Sequence, residues 1–343
     1  MTTPSPVPEG VDLAVLTAFM DANALGEGPL SDLTVLTGGT QNILLKFTRS
    51  GRTFVLRRPP PKLRANSNET MRREARVLAA LAGSDVPHPG LIAACPEETM
   101  DGAAFYLMEP IDGFNPTMGL PTLHAGDPAV RRRMGFALVD GIVALSRIDI
   151  AAVGLETLGK SQGWLERQAP RWKAQFDSYA EFAGWTNEIP GVDEVGAWLD
   201  AHRPQSFRPG LIHGDYHLAN VMYRHDSGEL AAIVDWELAS VGDPLLDLGW
   251  LMAMWPDPGA ETTPVTPWDG FPTIEEVIAR YGEQSGRDLT DLTWYGVLAC
   301  YKLGIILEGS HARAGAGLAP KAIGDRLHAS TLHLFQRALR WIA

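Results

Sequence analysis

Apolar residues along this chain recur with two different periods, and the change of period divides it. Residues 11–23, VDLAVLTAFMDAN, place Val11, Val15, Ala18 and Phe19 on one helical face. Past residue 30 the spacing shortens. LTVLTGGTQNILLKFTRSGRTFVLRRPPP reads as three strands separated by a Gly-containing turn and a Ser-Gly turn, and stopped by prolines. The helical period returns over NSNETMRREARVLAALAG, where Met71, Ala75, Leu78 and Leu81 align and Gly83 lies near the end. AFYLMEPIDG is then a short apolar strand ended by Pro110 and Gly113. Beyond it helices dominate. PAVRRRMGFALVDGIVALSRID carries a core-facing stripe of Val130, Met134, Leu138, Ile142 and Leu145. GWLERQAPRWKAQFDSYAEFAGW is aromatic-rich and helical, with Pro170 breaking or beginning a helix, and further helices are expected near 273–285, 291–312 and 322–342. The pattern predicts an α+β chain: a tail and helix over 1–29, a small antiparallel-sheet lobe with one helix over 30–110, and a larger, mostly helical lobe over 111–343.

Two short apolar runs in the second lobe frame polar residues instead of each other. In PGLIHGDYHLANVMYR, Leu211 and Ile212 enter a loop and Val221, Met222 and Tyr223 leave it; in ELAAIVDWELAS, Ala232, Ile233 and Val234 run into Asp235. A hairpin of two strands with RHDSG as its turn places Asp215 and Asn220 before the first strand and Asp235 after the second, all at one end. Buried carboxylates there need a partner, a proton or a metal. Magnesium takes hard oxygen ligands and commonly one or two from protein, which Asn220 and Asp235 can offer. Asp215 is then free to accept a proton from an attacking hydroxyl. Separately, each of these residues is equally a loop cap, a turn former or an ion-pair member; together, at this spacing, they point to the metal.

Composition narrows the classes. At 343 residues, 45% hydrophobic and 20% charged, the chain is an ordinary globular protein able to bury a sizeable core. A formal net charge of −12 argues against a general nucleic-acid binder, which needs a basic face. Cys95 and Cys300 suit reduced thiols of a cytoplasmic protein. MTTPSPVPEG lacks the basic-then-apolar order of a signal peptide, and no apolar run reaches the ~20 residues of a membrane span; GVLACYKLGIIL is too short and carries Lys302.

With H-G-D-x-H-x-x-N followed by I-V-D-W-E, the chain resembles the aminoglycoside-phosphotransferase and choline-kinase superfamily, of protein-kinase-like fold. The branch it resembles most includes the kinase-like domains found with acyl-CoA dehydrogenases, and the likeness covers about residues 30 to 340. The resemblance implies an ATP- and Mg2+-dependent phosphotransferase acting on a small-molecule hydroxyl, with Asp215 as catalytic base and Asn220 and Asp235 holding Mg2+. It implies that Asp243 and Asp247, in GDPLLDLGWL, brace the catalytic loop, and that His213 and His217 orient it by hydrogen bonds. For ATP it implies Gly38, Gly39, Thr40 and Asn42 in TGGTQN, whose glycines admit phosphate to backbone N–H groups, and Val55 and Arg57 on one face of FVLRR. Many kinases have Lys where Arg57 stands, and Arg58 on the opposite face is the competing cation. Glu74 is the acid that positions the cation. Met108, Glu109 and Ile111 form the inter-lobe hinge, where Glu109 C=O and Ile111 N–H face adenine and Pro110 has no N–H to give.

The acceptor is read from residues 163–185. Trp164, Trp172, Phe176 and Tyr179 lie there with Arg167, Arg171 and Lys173, whereas polycationic aminoglycosides call for carboxylates. This favours an anionic or apolar-plus-anionic alcohol, and the resemblance suggests a hydroxyacyl-CoA. The alternatives are a catalytically silent nucleotide-binding regulator and an aminoglycoside or macrolide kinase. A protein kinase is disfavoured, because DWELASVGDPLLDLG runs straight into a helix-like stretch with no activation segment.

Overall fold

The computed structural model describes residues 7–36, 42–186, 188–260 and 262–343. Gly38, Gly39 and Thr40, expected in the glycine turn over the nucleotide, lie outside them. Helix α1 (Leu13–Ala22) begins where the Asp12 carboxylate accepts the N–H groups of Ala14 and Val15 at 2.8 and 3.1 Å. Strands β1 (Ser31–Val35), β2 (Ile43–Arg49) and β3 (Arg52–Arg58) follow, then α2 (Ser67–Leu81), β4 (Leu91–Met100) and β5 (Ala103–Met108). All five strands pair antiparallel in the order β1-β2-β3-β5-β4. Strand β4 was missed in the sequence: its burial is irregular, LIAACPEETM being mostly part-exposed or exposed, so it carries little alternation.

Alternation in the inner strands gives the sheet two faces. Leu45, Phe47, Phe54, Leu56, Phe105 and Leu107 pack with Leu16 and Met20 of α1, so α1 covers one face of the sheet. Val55, Ala104, Tyr106 and Met108 face the other way, onto Met71, Ala75 and Leu78 of α2, in a core that continues into the second lobe.

That lobe comprises α3 (Thr122–Gly126), α4 (Pro128–Ser146), α5 (Trp164–Asp177), α6 (Val192–Ala201), β6 (Gly210–Ile212), β7 (Val221–Tyr223), β8 (Leu230–Ile233), β9 (Ser240–Gly242), α7 (Leu245–Met254), α8 (Ile274–Ser285), α9 (Leu292–Gly315) and α10 (Lys321–Ile342). Helix α9 is buried nearly all round over its first fourteen residues, the mark of a central helix. It approaches α7 closely because Gly249 has no side chain: a Cβ there would lie 2.5 Å from the Tyr295 carbonyl oxygen. Pro170 does not break a helix but lies inside α5. The Gln168 side chain bonds the Trp164 carbonyl at 2.8 Å, and buried Trp164, Leu165, Ala169 and Phe176 anchor both sides of the proline. No helix among the described residues is long and apolar enough to cross a membrane.

Candidate active site

Strands β7 and β8 form the expected hairpin, with Val221 opposite Ile233 and residues 224–229 joining them, one more than the expected turn. Val234 N–H donates to Asn220 C=O at 2.9 Å, which ties the start of one strand to the end of the other. Leu211 and Ile212 belong instead to β6, which pairs with β9. Between β6 and β7 runs the loop carrying His213, Asp215, His217 and Asn220. Asp247, on α7 and only 1% exposed, accepts His213 N–H at 2.7 Å and Gly214 N–H at 2.9 Å. Its burial pushes the carboxyl up, opposed by His213 and the two N–H donors. Gly214 adopts φ +83°, and a Cβ would meet the Leu238 carbonyl at 2.7 Å, so the loop needs glycine there.

Within the loop, Asn220 Nδ2 donates to Asp215 C=O at 2.9 Å and to Asp215 Oδ2 at 3.0 Å, leaving its amide oxygen to accept or coordinate. His217 Nδ1 accepts Ala219 N–H at 3.2 Å while Nε2 lies 3.3 Å from Asp215 Oδ1. His213 reaches the Val234 carbonyl with Nε2 at 2.9 Å. Both histidines therefore make bonds that hold the loop. Burial pushes the Asp215 carboxyl up, but the hydrogen bond and charge of His217, with His213 and Lys302, outweigh it and hold the group below the usual carboxylate range.

Opposite the loop, Arg57 reaches two carboxylates. Its Nε and Nη2 lie 2.7 and 2.9 Å from the two Glu74 oxygens, and Nη2 lies 2.8 Å from Asp235 Oδ1. Tyr106 O–H donates to Glu74 at 2.7 Å. Arg58 points to the other face of the sheet, is 0% exposed, and touches neither Glu74 nor Asp235. Asp235 sits at φ 64°, ψ 61°, a left-handed conformation uncommon outside glycine, asparagine and aspartate, which breaks the strand and turns the carboxylate. Carboxylate oxygens of Glu74, Asp235 and Glu237 lie within 4.8 Å of one another. Burial, then Asp235 and Glu74, push the Glu237 carboxyl up to about 7.

The remaining nucleotide-site candidates lie on the same side. Val55 pairs with Met108 across β3 and β5, both buried. Glu109 N–H is taken by Gly90 C=O at 2.8 Å. Among the described residues, Glu109 C=O and Ile111 N–H make no backbone bond. Asn42 lines a small cavity with Ser67, Thr70 and Glu237. Asp243 stands apart from the loop: it accepts Leu245 N–H at 2.9 Å, at the start of α7, and Tyr295 O–H at 2.8 Å. The bracing expected of Asp243 and Asp247 together is made by Asp247 alone, since Asp243 is spent on its own helix end.

Two adjoining cavities lie at this loop, the first lined by Gly214 and the second by Asp215. One of about 440 Å³ includes Gly214, Glu237, Trp164 and Trp172 and is lined by five cations, Arg73, Lys160, Arg167, Arg171 and Lys302. Arg73 donates to Ala239 C=O, Arg167 to the carbonyls of Lys160 and Gln162, and Lys302 to Gly214 C=O. Among the described residues none of the five forms an ion pair. The second cavity, about 990 Å³, runs from Asp215 and His217 past Trp250, Met254, Leu303 and Leu307. Leu238 and Ile306 line both. Of the predicted acceptor residues, Phe176 and Tyr179 are core, and Lys173 turns away to Asp177 at 2.6 Å.

Sequence reasoning passed over Tyr106, Glu237 and Lys302. Tyr106 is two positions from Met108 on one strand face, and Lys302 interrupts the apolar run GVLACYKLGIIL; both are signals available from pattern alone. Lys302 sits over the Trp250 ring at 4.5 Å, and burial brings its ammonium down to about 8. A lysine depressed in the folded state binds its proton more weakly than in the unfolded chain, so stability rises with pH between about 8 and 10.5. That rise is expected to reach on the order of 2–3 kcal/mol and to vanish in Lys302→Met, as measured by urea unfolding at pH 7.5 and 10.

A model of the phosphotransferase enzyme family, APH, matches residues 32–292. The chain belongs to this family. The phosphotransferase is 28% identical over 307 residues to acyl-CoA dehydrogenase family member 10 of Mus musculus, covering 87% of this chain and 28% of that protein. The chain thus spans little more than a quarter of that relative's length. Among solved structures, a candidate aminoglycoside phosphotransferase of Ralstonia eutropha is 29% identical with a TM-score of 0.78, covering 96% of this chain and 98% of the other. The aminoglycoside phosphotransferase APH(4)-Ia, in a ternary complex with AMP-PNP and hygromycin B, has a TM-score of 0.57 at 16% identity, over 92% of this chain and 98% of the other, a likeness of fold alone. The phosphotransferase has the bilobal, α+β, kinase-like fold.

Proposed function

We propose that this phosphotransferase moves the γ-phosphoryl group of ATP to a hydroxyl of a small molecule that joins an apolar body to an anionic group, a hydroxyacyl-CoA being the leading class. The observation that carries the acceptor reading is the pair of cavities that share Leu238 and Ile306, the first lined by Gly214 and the second by Asp215. One is lined largely by apolar side chains, among them Trp250, Met254, Leu303 and Leu307, with Asp257, Arg326 and Arg337 at polar positions; the other is lined by five cations that form no ion pair among the described residues, and by Glu237, pushed towards neutrality. A polycationic aminoglycoside would meet like charge there, which argues against the antibiotic-kinase reading. The relationship to an acyl-CoA dehydrogenase family member points the same way.

The donors Asn220 and Asp235, with Glu237 beside them, are oxygen only, and Asn220 already commits its amide nitrogen to Asp215. This set fits Mg2+, which Asn220 and Asp235 would hold and which would supply positive charge to offset that of the phosphates. Arg57, held by Glu74, which in turn accepts the Tyr106 hydroxyl, supplies a fixed guanidinium for phosphate. Asp215, anionic at neutral pH, accepts the hydrogen bond of the acceptor hydroxyl, aligns its lone pair with the phosphorus, and takes the proton as the bond forms. Asp247 and Lys302 keep the loop in the shape this requires.

Reversing one wall charge tests the acceptor reading. Arg171→Glu is expected to raise KM for a hydroxyacyl-CoA by about tenfold or more, as for the loss and inversion of a charge contact, and to leave KM for ATP unchanged. Equal effects on both substrates, or faster turnover of an aminoglycoside than of any anionic alcohol by the unaltered chain, would overturn it.

A further inference from the structure

Helices α9 and α10 bring together a carboxylate and two imidazoles that the phosphotransfer reading leaves unused. Glu308 and His311 stand three residues apart on α9, hence on one face. His328 comes from α10, which returns alongside α9 after a short connection. Ligand atoms of the three lie within 4.8 Å of one another. None of them lines either cavity of the candidate active site.

The local chemistry lacks a component. Glu308 is 1% exposed, and among the described residues no lysine or arginine pairs with it. Trp185 donates its indole N–H to Oε1 at 2.9 Å, and His328 Nδ1 lies 2.9 Å from Oε2. His311 stacks on His328 with ring centroids 4.4 Å apart. Its Nδ1 is shut off from solvent without a hydrogen-bond partner, the Oδ1 of Asp325 being 3.9 Å away. The buried carboxylate has no fixed positive charge beside it among the described residues. A divalent ion balances it and takes both rings as neutral ligands.

We propose that Glu308, His311 and His328 form a binding site for a divalent transition-metal ion of the zinc type, which joins α9 to α10. Two histidines and one glutamate are a ligand set that zinc accepts, with a fourth position left for water or Asp325. The Trp185 bond to the free glutamate oxygen is the outer contact that fixes a ligand's orientation. Zinc bonds of roughly 2.0–2.1 Å require the donors to close together by about an ångström, which rotation of the two rings supplies. This donor set, rich in nitrogen, separates it from the oxygen-only cluster of Glu74, Asp235 and Glu237.

Titrating the chelator-treated full chain with Co2+, then displacing it with Zn2+, tests the proposal. One equivalent of Co2+ is expected to give the intense visible bands of a tetrahedral site with nitrogen ligands, bands that the active-site oxygens cannot produce. His311→Ala and His328→Ala should each abolish them and weaken Zn2+ binding by at least about tenfold. Trp185→Phe should weaken it by about 10–100-fold at most, and Glu237→Gln should leave the bands intact. Unchanged Zn2+ affinity in either histidine variant would overturn the site. Should those variants fold poorly, X-ray absorption at the zinc edge of the unaltered chain decides: two imidazole ligands are expected, and an all-oxygen shell contradicts the proposal.

Discussion

Asp215→Asn is expected to slow phosphoryl transfer by on the order of 10²–10⁴, the range for loss of a positioned acid–base group. The substitution keeps the side chain's shape, and Asn220 and His217 remain to hold it. Nucleotide affinity and melting temperature should therefore stay close to those of the unaltered chain. What disappears is the anionic oxygen that receives the acceptor's proton. Because His217, His213 and Lys302 hold the Asp215 carboxyl below the usual range, against burial, it remains deprotonated throughout neutral and mildly acidic pH. The acid limb of kcat should accordingly appear only below the ordinary carboxylate range, and it should be absent in the variant. Comparing kcat and KM for ATP between the two proteins separates a chemical role from a binding one. Turnover within tenfold of the original would remove Asp215 from the mechanism.

The second large effect is on stability. Glu74→Ala should destabilise the fold by about 3–5 kcal/mol, the penalty for removing one member of a buried ion pair. Glu74 is 0% exposed and the Arg57 side chain 11% exposed, so water cannot replace what is lost. Arg57 would be left with Asp235 alone, and the Tyr106 hydroxyl would lose its acceptor. An exposed pair such as Arg52 and Glu109, 3.4 Å apart at 53% and 59% exposure, should cost less than about 1 kcal/mol on the same change. The variant should also raise KM for ATP, since the guanidinium is no longer held from behind. Urea unfolding measures the first effect and steady-state kinetics the second. A Glu74→Ala stability within 1 kcal/mol of the original would mean that Arg57 does not depend on the pair.

Much of this was legible in the sequence because it was local. Alternation in FVLRR set Val55 and Arg57 on one face, and the observed sheet turns that face to α2 and the acid cluster. The hairpin with Asp235 at its end followed from two apolar runs and a Gly-containing turn. Sequence separation hid the rest. The partners of the loop come from α7 and α9: Asp247 contacts residues 33 and 34 positions away, and Lys302 contacts Gly214 across 88. No periodicity reports such contacts. The motif GDPLLDLGWL carried two aspartates of the same type, and only the fold separates Asp247, aimed at the loop, from Asp243, bound to its own helix and Tyr295. Pro170 misled because propensity alone forbids it inside a helix, whereas buried residues on both sides of it keep α5 continuous. The paired cavities are further still from the sequence. Their walls draw on α2, α5, α7, α9 and α10, and the charge of one of them depends on which basic side chains lack a carboxylate.

The proposed reaction transfers phosphate to an alcohol and goes beyond binding nucleotide. Incubation of the chain with ATP, Mg2+ and a panel of hydroxylated acceptors, followed by phosphorus NMR, tests it directly. A new phosphomonoester resonance is predicted for an apolar alcohol bearing an anionic group, appearing one-for-one with ADP and absent with Asp215→Asn. Bound nucleotide with no phosphoester from any acceptor in the panel would contradict the account and favour a silent regulator.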